Sequence, residues 1–84
     1  QPMGSSTLDR LLERLHALRE HHGLTQERFA EIAGMSYKHY QAIEAGRKPD
    51  LRLSTLERLA SAYGIEVAEL LGNRFPKTKI AGRR

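Results

Sequence analysis

The side chains best placed to do chemistry in this chain are Tyr37, Lys38 and Gln41, within the stretch Leu24–Gly46, LTQERFAEIAGMSYKHYQAIEAG. Residues three and four apart on a helix share a face, so this spacing turns all three the same way. A lysine ammonium can donate to guanine O6 and N7, and a glutamine carboxamide can pair with adenine. Each good contact of that kind discriminates between bases by about 1–3 kcal/mol. His39 and Ala42 flank the set, Ala42 being small enough to touch a thymine methyl or to permit close approach. Ser36 heads the same helix and completes the group. The chemistry on offer is reading base edges in a duplex groove, not bond-breaking.

Reading of that kind needs a short helix held rigidly by its neighbours. The sequence predicts one helix from about Thr25, whose hydroxyl can take an unpaired first-turn amide, with Phe29, Ala30, Ile32 and Ala33 on its inner face. Gly34 supplies the left-handed turn, and Ser36 caps a second helix that runs to about Ala45 before Gly46. Met35, Tyr40 and Ile43 point inward from this second helix, while small Ala30 and Ala33 let the pair cross closely. Upstream, Leu8, Leu11, Leu12, Leu15 and Leu18 fall at helical spacing behind a cap at Ser6 or Thr7, ending at Gly23. Downstream, GRKPDLRL reads as an exposed loop carrying Arg47, Lys48 and Arg52. Ser54–Glu57, S-T-L-E, reads as a capping box that opens a fourth helix. Its inner face is Leu56, Leu59, Ala60 and Tyr63, and Gly64 separates it from a short fifth helix with Ile65, Val67, Leu70 and Leu71, stopped by Gly72. No strand-length alternation or repeat interrupts this pattern, so the fold class is all-α: five helices in one compact bundle. Residues 6–72 form the domain. Residues 1–5 are set apart as disordered or expression-derived, and residues 73–84 as a basic, flexible tail with too few apolar groups to offset chain entropy.

Composition narrows the function. Eighty-four residues make one small domain. The absence of cysteine removes disulfides and thiolate metal sites and fits a cytoplasmic setting. No apolar run is long enough to cross a bilayer. The net charge of +4 is unevenly placed: residues 1–73 hold nine Lys/Arg against ten Asp/Glu, and the excess is Arg74, Lys77, Lys79, Arg83 and Arg84. Near the reading helix, Lys38, Arg47, Lys48 and Arg52 face only Glu44 and Asp50, a local cationic excess suited to phosphate. His16, His21, His22 and His39 lack the H-x-x-x-H spacing of a helical metal pair, so no metal or other cofactor is expected. No nucleophile, base and oxyanion site converge, so no enzymatic activity and no small-molecule ligand are expected.

The register L-T-Q-E-x-x-A-x-x-A-G-x-S followed by x-x-I-E-x-G resembles the Cro and phage-repressor, or Xre-type, helix-turn-helix family. Leu24, Thr25, Gln26, Ala30, Ala33, Gly34, Ser36, Ile43, Glu44 and Gly46 all fall in place. The downstream S-T-L-E-R-L-A-x-A-Y-G-I resembles that family's fourth helix, extending the likeness over roughly residues 8 to 71. The resemblance implies a lambda-repressor-like fold, and a transcriptional regulator that binds a double-stranded operator as a homodimer, most simply a repressor. It implies that Gln26 positions a backbone phosphate, and that Arg19 and Glu44 form an internal ion pair. The chain departs from the family at Tyr40, where an aliphatic is usual, and at Ala42, where a longer polar residue often reads a base. Tyr40 is read as core with its hydroxyl at the rim. A second reading, an antitoxin-like or adaptor module that binds protein on the same fold, stays open because fold alone does not choose between them.

Overall fold

A computed structural model describes residues 6–80. Five helices follow in order: α1 Thr7–His21, α2 Gln26–Ala33, α3 Tyr37–Glu44, α4 Leu53–Ala62 and α5 Val67–Leu70, with no strand among the described residues. The reading of residues 1–5 as disordered or expression-derived, and the tail reading as it bears on residues 81–84, fall outside the described residues.

The first three helices start where hydroxyl residues can serve them. Ser6 Oγ accepts from the Asp9 amide at 3.1 Å, Thr25 Oγ1 from Arg28 at 3.0 Å and Ser36 Oγ from His39 at 3.0 Å, each satisfying a donor the helix itself cannot. Between α2 and α3 the chain passes through Gly34 at φ 75°, and the Met35 amide bonds back to the Ala30 carbonyl at 3.0 Å. That Schellman closure stops α2 in one turn and needs a residue free of left-handed strain. α2 packs on α3 and α4, α3 on α1, and α4 on α5. Buried Ala30 and Ala33 allow the close α2–α3 approach. The core centres on Phe29, with Tyr63 stacked on it at 4.7 Å and Tyr40 tilted against it at 4.9 Å, and with Leu15, Leu18, Ile43 and Leu59 fully enclosed.

Two boundaries differ from expectation. α4 begins at Leu53 behind Arg52, not at a Ser54 cap, and no side chain caps it. The Leu56 amide already bonds the Arg52 carbonyl at 3.1 Å, so the turn closes two residues before the S-T-L-E box could act, and Ser54 sits inside the helix on an exposed surface. The fifth helix is only Val67–Leu70. Ile65 precedes it as a buried residue of the α4 terminus, its amide bonded to the Ala60 carbonyl at 3.0 Å.

The largest difference lies beyond Asn73, where the described part of the expected loose tail is a docked strap. Lys79 donates its amide to the Tyr63 carbonyl at 2.9 Å, Thr78 Oγ1 lies 2.6 Å from His22 Nε2, and Ile80 is buried. Phe75 meets the edge of the His21 ring at 5.6 Å, with the Arg14 guanidinium 5.8 Å over its ring. Arg14 also donates to the Glu69 and Gly72 carbonyls, and Arg10 to the Leu71 carbonyl and to Asn73 Oδ1. Ile80 is enclosed while Phe75 stays half exposed, so the polar bonds to α1 and to the end of α4 carry much of the docking. Gly64, at φ 70°, lies beneath the strap, and a Cβ there would come within 2.9 Å of the Lys79 carbonyl oxygen.

Candidate nucleic-acid interface

α3 is fixed from within before it is presented outward. Its last residue, Glu44, gathers four donors: Arg19 Nε to Oε2 and Arg19 Nη2 to Oε1, both at 3.1 Å, Tyr40 Oη to Oε2 at 2.9 Å, and the Gln26 carboxamide to Oε1. The carboxylate's acceptor sites are thereby filled from three helices. Arg19 adds a bond from Nη1 to the Leu24 carbonyl at 2.9 Å, tying the α1–α2 connection into the same node. The Arg19 and Glu44 side chains are only 14% and 6% exposed, so the forked pairing works in a largely water-free setting. Burial alone would raise the Glu44 carboxyl, but hydrogen bonds from Arg19, Gln26 and Tyr40 outweigh it and hold the group below its usual range. The hydrogen bond to Glu44 raises the Arg19 guanidinium further still. Tyr40 is completely buried, and its hydroxyl is bound to Glu44 instead of lying at the rim. Burial, then the Glu44 charge, pushes its phenol well above the ordinary value.

The outer face of α3 carries the residues singled out from the sequence. Tyr37 is 44% exposed, and Ser36, Lys38 and His39 are exposed. Gln41 and Ala42 are half-buried, and Gln41 Nε2 donates to Tyr37 Oη at 3.3 Å, one turn away. Ser36 is occupied with the His39 amide at the head of the helix. The Lys38 ammonium makes no hydrogen bond or ion pair with any described residue. Gln26 is half-buried with its carboxamide on Glu44, so one of its N–H groups is engaged in the node.

Beside this face lies a cleft of about 400 Å³ between α3, the following loop and the start of α4. His39, Lys48 and Arg52 line it, Asp50 is its only acid, and Ser54 and Thr55 add hydroxyls. Arg47 stands exposed where α3 ends, its amide on the Ala42 carbonyl at 2.9 Å, and is not part of this lining. Sequence reasoning missed one cation of the cleft, Arg58 from α4. Its spacing matches that of any solvated helical arginine, and only the crossing of α4 behind the Gly34 turn brings it there.

No described helix is long and apolar enough to cross a membrane. A family model described as Helix-turn-helix matches residues 15–70. Over 74 residues, 87% of this chain, the sequence is 40% identical to the HTH-type transcriptional regulator DdrOP3 of Deinococcus deserti, covering 57% of that protein. It is 40% identical over 60 residues to the Immunity repressor protein of Bacillus phage phi105, covering 71% of this chain and 41% of that one. It is 35% identical over 57 residues to the HTH-type transcriptional regulator PuuR of Escherichia coli, covering 68% of this chain and 30% of that one. The chain therefore spans between about a third and somewhat more than half of these relatives. No solved structure matches it. With the motif in register, the glycine turn between two capped helices and the model match over most of its length, the chain belongs to the Xre-type helix-turn-helix family of DNA-binding transcriptional regulators and has its lambda-repressor-like fold.

Proposed function

We propose that this domain reads a specific double-stranded operator with α3 in the major groove, and that it acts as a dimer whose operator occupancy represses transcription. The observation that carries this reading is the contrast on α3 itself: Glu44 is fixed by three helices, while Lys38 at the other end is exposed and unengaged. A rigid mount with free donors at the N-terminal half of the helix is what groove reading requires. Tyr37, Lys38 and Gln41 contact bases, with Ser36, His39 and Ala42 bordering them. Gln26 positions a phosphate through its remaining N–H, as helix N-termini do. Arg47, Lys48 and Arg52 hold the backbone from the loop. The names of the relatives, two transcriptional regulators and an immunity repressor, support the regulatory role. Two-fold symmetry places the two reading helices about 34 Å apart, one turn of duplex.

Selection of binding sites from random duplex at two salt concentrations tests this directly. The expected outcome is an enriched, roughly palindromic motif with half-sites one turn apart, and affinity that falls steeply with salt. Recovery of no motif, or a flat salt response, overturns it and favours a protein-binding module.

A further inference from the structure

We propose that Arg58 is a backbone-phosphate contact that also positions the turn of the helix-turn-helix, an inference that rests on the DNA-binding reading above. Arg58 Nη1 donates to the Gly34 carbonyl oxygen at 2.9 Å, so α4 grips the residue on which α2 stops, two residues before the Ser36 cap of α3. A guanidinium has five N–H donors in a planar fork, and this bond uses one. No described carboxylate pairs with Arg58, which lines the cleft together with His39, Lys48 and Arg52. Lys48 and Arg52 make no side-chain bond to the described chain and must be ordered when an anion arrives. Arg58 is already anchored at one edge, so presenting its other edge to a phosphate costs less side-chain entropy. One side chain thereby joins the backbone of the duplex to the backbone of the turn that aims α3. Phosphate contact and the setting of the reading helix are coupled through it.

The test uses Arg58→Gln, which carries no charge and whose amide nitrogen ends two bonds short of the atom that reaches Gly34, so the salt slope reports the phosphate and urea unfolding reports the lost bond. Lys79→Gln, which removes one charge beside Tyr63 at the far end of α4, about 7.5 Å along the helix axis from Arg58 and outside the cleft lining, is the matched control. Affinity for a duplex recovered by selection is measured across a salt series, with urea unfolding alongside. Arg58→Gln is expected to bind about tenfold or more weakly at low salt. Its slope of log affinity against log salt should be shallower by about 0.9, the loss of one neutralised phosphate, and its unfolding midpoint should fall by no more than one exposed hydrogen bond accounts for. Lys79→Gln is expected to keep the wild-type slope. A wild-type slope in Arg58→Gln, or an equal change in Lys79→Gln, overturns the phosphate role while the DNA reading stands. A wild type that enriches no duplex overturns both.

Discussion

The two ends of α3 use the same kinds of charged and polar side chain in opposite ways. At the C-terminal end Glu44, Arg19, Gln26 and Tyr40 satisfy one another out of water. At the N-terminal end and in the adjoining cleft, Lys38, Lys48 and Arg52 are exposed and satisfied by nothing in the described chain. The difference teaches where charge holds the scaffold and where it is open to a partner. Residue type does not distinguish the two, whereas burial and the count of filled donor and acceptor sites do.

Breaking the closed end has the largest expected effect. Glu44→Ala strands the Arg19 guanidinium and the Tyr40 hydroxyl in a dry site and should cost about 3–5 kcal/mol, read from the urea midpoint. The mirror experiment is Lys38→Glu at the open end: operator affinity falls by the equivalent of about 1–3 kcal/mol or more, while the unfolding midpoint holds. Loss of stability in Lys38→Glu would show that the open end is structural after all. Tyr40→Phe comes next, removing one donor of four from Glu44 and costing about 1.5 kcal/mol. Acid sharpens the same contrast. The folded Glu44 carboxyl lies below its ordinary 4.5, so the folded state binds fewer protons there than the unfolded state. Its contribution is complete above that ordinary value and is lost as pH falls through the folded one, so the stability gap between wild type and Glu44→Gln should narrow as the pH drops below the ordinary value. The smallest effect belongs to Tyr63→Phe. The Tyr63 hydroxyl is buried without a hydrogen-bond partner among the described residues, and its removal should be neutral or slightly stabilising in the same urea assay.

What was legible in advance follows the range of the interaction. The caps at Ser6, Thr25 and Ser36 reach only three residues along the chain, and each was readable from its own neighbourhood. The Arg19–Glu44 pair spans 25 residues and came from family resemblance, not from local pattern. The start of α4 was misread because S-T-L-E satisfies a local rule that the chain does not need once the Arg52 carbonyl has closed the turn. The strap is missed for the opposite reason: Phe75 and Ile80 look isolated in sequence, and the partners that dock the segment, His21 and Arg14 at Phe75 and Tyr63 at Lys79, are distant along the chain. Arg58 gave no signal at all, since its role depends on which turn α4 happens to cross. At the candidate interface, exposure of Tyr37, Lys38 and His39 was readable from the helical period, but the Gln41–Tyr37 bond and the inward turn of Gln26 were not.

The docking of the strap has a consequence for how the molecule is made. Arg10 and Arg14 on α1, and His22 that caps it, take partners 55 to 63 residues downstream. A ribosome adding roughly 5–20 residues per second delivers those partners some seconds after α1 has emerged. The C-terminal half of α1 can settle earlier, when Glu44 arrives for Arg19, because that loop is less than half as long. The nascent domain should therefore complete its helix-turn-helix first and dock the strap along α1 last, with the His22–Thr78 contact among the final ones to form during synthesis.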